Sequence, residues 1–178
     1  MRNQLSSRPI FAPAGEVQDT SGGAHSNTRR YRVSSSARIK AHPGLVYAVI
    51  ADYQRHHPHI VPPGYFRRLE VLEGGVGAGT RTRVEMRVLG VTRVFEQLIS
   101  EPEPGRVLVE ANQDGSAVTT FTVQRNGGGR GSQVTIETDF VARGGLVGFL
   151  ERLATSVMLP RIYREELERL EEYVGWLD

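Results

Sequence analysis

Cysteine is absent from this sequence of 178 residues, and its absence removes three kinds of chemistry at once. Disulfide bonds, catalysis by a thiolate and zinc binding through cysteine sulfur are all excluded. Lysine is almost as scarce, because Lys40 is the only lysine among the 22 basic residues. Arginine keeps its charge far above neutral pH. This bias therefore gives an isoelectric point of about 9.2, although the formal net charge is only +2.

Long apolar runs are missing as well. The longest, Leu45–Ala51, is far shorter than the roughly 20 apolar residues that a membrane-spanning helix requires. The first residues also lack the apolar core of a secretory signal peptide. The sequence therefore predicts a cytoplasmic protein without a transmembrane segment, and transient contact with a membrane surface stays open as an alternative.

Basic residues outnumber acidic ones only in the first 30 residues, which hold four arginines and two acidic side chains. That segment is rich in Ser, Gly, Pro and Asn, a composition typical of a disordered tail. Residues 31–178 then form the one predicted domain, with 18 basic and 18 acidic residues. A neutral domain is a poor match for a phosphate backbone, so we predict no nucleic-acid partner.

Alternation of apolar and polar residues predicts seven β-strands, because a half-buried strand repeats every two residues. The first strand, Tyr31–Lys40, is followed by a short helix that begins at Pro43 and ends near Asp52–Arg55. A Pro/His-rich turn or second short helix comes next. The other six strands are predicted at Phe66–Leu72, Thr80–Val88, Val91–Ile99, Val107–Ala111, Ala117–Val123 and Val134–Val141.

A long C-terminal helix is predicted after Gly144–Gly145, because apolar residues recur there at roughly helical spacing. Pro160 lies inside this pattern and is expected to kink the helix or divide it into two segments. The acidic residues of the second half are expected mainly on the solvent face. They are Glu165, Glu166, Glu168, Glu171 and Glu172.

The predicted order of elements gives an α+β fold, in which an antiparallel sheet has its apolar face covered by one long helix. Three segments carry a family resemblance: HPGLVYAVIADY at residues 42–53, VGAGTR at residues 76–81 and GGLVGFL at residues 144–150. Over Tyr31–Gly175 the chain resembles the START-related SRPBCC superfamily, which includes polyketide cyclases and the birch pollen allergen. The resemblance implies a helix-grip fold, a seven-stranded antiparallel sheet wrapped around the C-terminal helix with a ligand cavity between them.

Binding of a hydrophobic small molecule is the function that this resemblance implies. The ligand would be a lipid, an isoprenoid or quinone, or a polyketide-like aromatic, and the protein would act as a carrier or sensor. The inward strand faces and the helices offer an apolar lining with a few hydroxyls. The alternative that these side chains fill a solid core stays open. The predicted ligand-binding residues are Tyr53, Val84, Met86, Val88, Phe95, Thr119, Phe121, Ile136, Thr138, Phe140, Phe149, Leu153 and Val157.

A polyketide aromatase/cyclase or dehydratase acting in the same cavity is the alternative function, and it would use no cofactor. Its candidate catalytic residues are His57, Tyr65 and Arg93. His57 belongs to the run His56–His59, which lacks the convergent ligands of a metal site, so we predict no bound metal. The acidic residues of the strands are expected mostly on outward faces, which argues against an internal acid/base pair. They are Glu85, Glu96, Glu110, Glu137 and Asp139.

The glycine run at Gly74–Thr80 superficially looks like a phosphate-binding loop. It leads from strand to strand and lacks the following helix, so the pattern predicts a hairpin. A third function stays open beside the first two, in which the basic tail and the acidic end of the last helix bind a macromolecule.

Overall fold

The structure is a computed structural model that describes residues 29–126, 131–142 and 144–177. Residues 146–151 are described by their backbone only. The predicted tail lies outside the described residues except for its last two positions.

Seven strands and three helices follow one another along the described chain, close to the predicted positions. The strands are β1 (Arg30–Ile39), β2 (Phe66–Glu73), β3 (Arg81–Val88), β4 (Val91–Glu103), β5 (Val107–Asn112), β6 (Ala117–Arg125) and β7 (Ser132–Val141). The helices are α1 (Pro43–Ala51), α2 (His57–Ile60) and α3 (Gly145–Leu177). The predicted strand count and the long C-terminal helix are confirmed.

The strands form one sheet in the order β1-β7-β6-β5-β4-β3-β2, and every neighbouring pair is antiparallel. β2 to β7 follow one another as hairpins, whereas β1 lies beside β7 at the far edge. The chain therefore crosses the sheet between β1 and β2, and α1 and α2 make this crossing. The result is the α+β helix-grip architecture.

The hairpin between β2 and β3 contains the glycine run Gly74–Thr80. Gly77 adopts a φ of +61°, which favours glycine, and a Cβ there would collide with the Glu101 carboxyl. Its N–H donates to the Ala51 carbonyl at 2.9 Å, and the Ala78 N–H donates to Glu101 Oε2 at 2.8 Å. The predicted hairpin is confirmed, and these two bonds attach it to the end of α1 and to β4.

α3 runs as one helix of 33 residues through Pro160, so the proline does not split it into two segments. The residues that follow Pro160 hold the helix in place, because Ile162, Leu167 and Leu170 are almost completely buried. α3 packs against β1, α1 and α2. No helix in the described part of the chain is long and apolar enough to cross a bilayer.

The core lies where α1 and the C-terminal half of α3 meet the sheet. Each of these large side chains stabilises the fold by roughly 1.5–3 kcal/mol through burial. The buried aliphatic and aromatic core residues include Val46, Val49, Ile50, Ile60, Ile99, Leu108, Phe121, Val134, Ile136, Ile162, Leu170 and Val174.

Candidate functional site

The face of the sheet that carries the core is called the inner face here, and β3 and β4 place three residue pairs on it. The register pairs Thr82 with Gln97, Val84 with Phe95 and Met86 with Arg93. Paired residues of antiparallel strands share a face, and Val84 is buried against the core. Phe95 and Arg93 therefore belong to the inner face, as the sequence pattern suggested for Phe95.

A second row of the inner face crosses four strands and contains a carboxyl group. Ile99 pairs with Glu110, Glu110 pairs with Thr119, and Thr119 pairs with Thr138. Glu110 is only 8% exposed. The expectation that Glu110 faces outward is therefore wrong. β5 is apolar at alternate positions on both sides, so its sequence alone does not tell which side carries the core.

Glu110 accepts a hydrogen bond inside the protein. The Tyr53 hydroxyl, from the residue two positions after α1, donates to Glu110 Oε1 at 2.6 Å. His57 Nε2 lies 3.9 Å from the same oxygen. The His57 and Tyr53 rings stack with their centroids 4.4 Å apart, and the Phe121 ring meets His57 edge-on at 6.0 Å. These four side chains form one compact cluster.

His57 is 2% exposed, so it lies inside the protein and not in a solvated turn. Its Nδ1 atom is 2.7 Å from the Ile50 carbonyl oxygen, and this nitrogen must donate because a carbonyl only accepts. In the neutral ring Nε2 then carries the lone pair, on the side of Glu110. Burial lowers the pKa of His57, although the Glu110 charge and the bond to Ile50 act in the opposite direction. The imidazole is therefore neutral at physiological pH.

A second carboxyl group, Glu166 of α3, is buried in the same region and is 4% exposed. Its expected place on the solvent face is wrong. Ile162 and Leu170, four residues to either side, are both buried, and positions four apart lie on one helix face. Burial first, and the charge of Glu110 second, raise the pKa of Glu166 well above 4.5. Burial therefore favours the protonated form of Glu166 more than it would for an exposed glutamate.

A hydroxyl network borders the two carboxyl groups. The Tyr163 hydroxyl hydrogen-bonds to Thr138 Oγ1, and Thr138 Oγ1 lies 2.8 Å from Thr119 Oγ1. Burial is the main cause that raises the pKa of Tyr163 above its ordinary value, and the charges of Glu166 and Glu110 add to it. Thr119, Thr138 and Tyr163 therefore lie beside the carboxyl pair and satisfy one another's hydrogen-bonding capacity.

Two clefts open at other places on the described surface. One of about 340 Å³ lies between β1 and the C-terminal half of α3, and one of about 180 Å³ lies between α2 and β2. None of the predicted ligand-binding residues lines either cleft.

The family model for "Polyketide cyclase / dehydrase and lipid transport" matches residues 30–175. The chain belongs to this family. The KanY protein, solved by NMR, is 30% identical with a TM-score of 0.72, and the match covers 83% of this chain and 99% of that one.

Two more distant structures share the fold of this chain. The Zhui aromatase/cyclase from Streptomyces sp. R1128 is 19% identical with a TM-score of 0.67, over 81% of this chain and 93% of that one. A START superfamily protein from Mycobacterium smegmatis is 15% identical with a TM-score of 0.62, over 83% and 99%. No curated protein matches the chain. The family and the fold support hydrophobic-ligand binding or a polyketide-cyclase type of function.

In this family member the predicted ligand-binding residues fall into two environments. Members of the buried set pack in the core or in the cluster, and members of the other set keep part of their surface exposed. The buried set is Tyr53, Val84, Phe121, Ile136 and Thr138. The partly or largely exposed set is Met86, Val88, Phe95, Thr119, Phe140, Leu153 and Val157. The Phe149 side chain lies outside the described residues.

The structure separates the three catalytic candidates. His57 lies in the buried cluster, Arg93 lies among the exposed residues of β4, and Tyr65 packs half-buried at the start of β2. Leu153 and Val157 are 54% and 48% exposed. The roles of all these residues in ligand contact or catalysis stay predictions.

Sequence reasoning missed the burial of Glu110 and of Glu166, and only for Glu166 does the sequence contain a pattern that indicates it. The spacing of Ile162, Glu166 and Leu170 places the glutamate in the middle of the apolar stripe of α3. Nothing comparable marks Glu110, because its orientation depends on the register of β5 between its neighbours.

Proposed function

We propose that this chain binds a hydrophobic small molecule between the inner face of β3 and β4 and the N-terminal half of α3, as a carrier or sensor. One observation carries the proposal. α3 packs along β1 and against α1 and α2, whereas β3 and β4 have no comparable contact with it among the described residues. Apolar residues of the inner face keep part of their surface exposed there, namely Met86, Val88 and Phe95.

Such a surface is suited to a ligand that is mostly apolar. Burial of apolar area contributes roughly 25 cal/mol per Å², from which the cost of association has to be subtracted. Gln97 and Arg93 flank Phe95 on the inner face of β4, so a polar end of the ligand would meet hydrogen-bond donors. Lipids, isoprenoids, quinones and polyketide-like aromatics all have this combination of properties.

Native mass spectrometry of the purified chain tests the proposal, because a bound hydrophobic molecule adds a defined mass that denaturation removes. Phe95→Ala should lower retention of that molecule. Val94→Ala is the matched control, since Val94 is the next residue on the outer face and is 57% exposed. Equal retention by both variants, or no uptake of any lipid, quinone or aromatic offered, would contradict the proposal.

A polyketide aromatase/cyclase or dehydratase is the second candidate, and the buried cluster favours it. A neutral histidine with its Nε2 lone pair 3.9 Å from a carboxyl group has the components of an acid/base pair. Turnover of a poly-keto substrate that collapses in His57→Gln would establish the activity. Unchanged turnover in His57→Gln, Tyr65→Phe and Arg93→Gln would remove it.

A further inference from the structure

The hairpin that joins β3 to β4 extends past both of its neighbouring strands. β2 pairs with β3 only as far as Met86, and β5 pairs with β4 only as far as Gln97. Residues 88–92 therefore pair with no strand except each other. Each strand residue adds about 3.3 Å, so the turn lies about 10 Å beyond the last pair with β2. The three residues Leu89–Val91 at this end are called the hairpin tip here.

The turn of this hairpin carries a leucine where the backbone favours another residue. Leu89 and Gly90 form the turn with φ angles of +50° and +81°. Two-residue turns with positive φ at both positions favour asparagine or aspartate first, because a bulky side chain is strained there. Leu89 is 69% exposed, so burial inside the protein does not offset this strain. The leucine therefore contributes little to the stability of the isolated chain.

Other exposed apolar side chains surround the turn. Val91 is 56% exposed and pairs with Val88 on the inner face, while Val94 is 57% exposed and lies on the outer face opposite Glu85. The turn between β5 and β6 differs, because its residues Gln113–Ser116 are all polar or glycine. Apolar surface thus continues around the β3–β4 tip from one face to the other. Exposed apolar patches of this kind mark sites of interaction with proteins or membranes.

Arginines lie behind the tip, and residues 86–95 contain no acidic side chain. Arg87 and Arg93 belong to the hairpin itself, and Arg67 lies on β2 beside the position that pairs with Met86. Neither Arg67 nor Arg87 has an ion pair or a side-chain hydrogen bond with another described residue. Guanidinium groups bind phosphate oxygens well, because several N–H donors point in one plane. The apolar tip is therefore backed by positive charge that the described part of the chain does not neutralise.

We propose that the hairpin tip inserts into the interface of an anionic phospholipid membrane, with Leu89 and Val91 at the acyl chains and Arg67 and Arg87 at the phosphates. Interfacial protein segments bury their apolar surface roughly 5–10 Å deep. The distance of about 10 Å from the start of β2 to the turn agrees with this depth. The long arginine side chains can reach the phosphates while their apolar stems follow the tip inward.

A membrane fits the tip better than a second copy of the chain does. A fluid lipid phase contacts both faces of a narrow hairpin at once, whereas a folded partner covers mainly one of them. The inference goes beyond the proposed function, because it concerns the end of the hairpin and a surface of lipid. It would place the opening of the proposed binding surface at the membrane, since Met86 and Phe95 lie on the same hairpin.

Co-sedimentation of the full chain with vesicles tests the charge requirement. One set of vesicles contains phosphatidylcholine and phosphatidylglycerol, and the reference set contains phosphatidylcholine alone. The wild type should bind the anionic set and lose this binding at high salt, which screens the arginines. Arg87→Gln should lower the affinity about fivefold, the share of one basic residue near an anionic surface. Arg38→Gln is the control, because Arg38 is exposed on β1 at the far edge of the sheet.

Leu89→Asn separates the membrane contact from the stability of the fold. Asparagine is favoured in such a turn, so the urea midpoint of the variant should equal or exceed that of the wild type. Loss of the leucine from the acyl region should still lower the affinity for anionic vesicles about tenfold. Val76→Asn is the matched control and should bind like the wild type, because Val76 is 64% exposed in the hairpin at the opposite end of β3.

Fluorescence measures insertion directly. Leu89→Trp is combined with Trp176→Phe, which removes the only tryptophan of the chain. The emission should shift to shorter wavelength when anionic vesicles are added, because the indole enters an apolar environment. Val76→Trp in the same background should show no such shift.

Several outcomes would overturn the proposal. They are no binding to anionic vesicles, equal binding to both vesicle sets, and unchanged binding by Leu89→Asn. A wild-type dimer that Leu89→Asn converts to a monomer would instead identify the tip as an interface between two copies of the chain. Leu89→Asn should retain a bound hydrophobic molecule in native mass spectrometry as well as the wild type does, so failure of this proposal and failure of the proposed function are observed separately.

Discussion

Two regions of the molecule use the same sheet in different ways. The closed region consists of β1, β7, β6 and β5 with α1, α2 and the C-terminal half of α3, and it buries apolar side chains together with Glu110 and Glu166. The open region consists of the ends of β3 and β4 that meet in their hairpin, where the inner-face residues Met86, Val88 and Phe95 keep part of their surface exposed. The sheet is continuous, so the difference comes from where α3 packs. A helix that covers one end of a sheet leaves part of the inner face exposed at the other end.

The largest contrast is expected between two phenylalanines on the inner face, Phe121 in the closed region and Phe95 in the open one. Phe121→Ala should cost about 3–5 kcal/mol of unfolding free energy, because the residue is 3% exposed and its loss leaves a cavity. Phe95→Ala should cost less than half as much, since solvent or a neighbour can fill the space. Urea denaturation of both variants without ligand measures this. Equal losses would show that the open region is as tightly packed as the closed one.

A smaller effect is expected from removing single tyrosine hydroxyls. Tyr53→Phe leaves the buried Glu110 without its donor and should cost about 1–3 kcal/mol. Tyr47→Phe removes a bond of equal length to Glu101, but Glu101 is less buried and keeps the Ala78 N–H. Its cost should be nearer about 0.5–1.5 kcal/mol. Thermal unfolding of both variants tests whether Tyr53→Phe loses more stability, and a larger loss in Tyr47→Phe would contradict this prediction.

The dependence of stability on pH should report Glu166 in the closed region. The pKa of Glu166 is raised above 4.5 in the folded state. At a pH between 4.5 and this raised pKa, the native state holds a proton that the unfolded state has lost. The stabilising contribution is complete below pH 4.5 and is lost as pH rises. As pH rises above 4.5, Glu166→Gln should therefore become more stable relative to the wild type, by up to about 1.4 kcal/mol per pH unit.

Urea denaturation at pH 5, 6 and 7 measures this gain. His57 has a lowered pKa and acts in the opposite sense in both proteins, so the difference between them isolates Glu166. The free energy of unfolding of Glu168→Gln should change with pH in parallel with that of the wild type. A constant offset between the wild type and Glu166→Gln over this range would contradict protonation of Glu166.

The smallest effect is expected on the outer face of the open region. Arg83 donates to Glu96 at 2.7 Å, but both side chains are substantially exposed to solvent. Exposed ion pairs contribute little, because water and salt screen them. Arg83→Gln should leave the urea midpoint nearly unchanged at 0.15 M salt. A loss as large as that of Tyr53→Phe would show that the outer face is covered in solution.

Much of the fold follows from local sequence patterns. The seven strands, the short helix at Pro43 and the long final helix lie close to their predicted positions, because alternation and helical spacing are properties of neighbouring residues. The glycine hairpin at Gly74–Thr80 is local in the same sense, since it depends on backbone angles that glycine permits.

The candidate site was less predictable, and Glu110 shows why. Whether the glutamates of β5 face the core depends on the pairing of β5 with β4 and β6, since a shift by one residue exchanges the two faces. A general rule that charged residues face solvent then gives the wrong answer. Glu166 could have been found from the apolar stripe around it, but its charge concealed the signal.

The sequence by itself determined the elements, their order and the family, because periodicity, turn residues and short motifs are read from neighbouring positions. Only the tertiary structure decided that His57, Tyr53, Glu110 and Phe121 meet in one buried cluster, and that Glu166 of α3 is buried. The four residues of the cluster come from separate parts of the chain. Their contact depends on strand register and on the position of α1 and α2 against the sheet, and both are set by the packing of the whole domain.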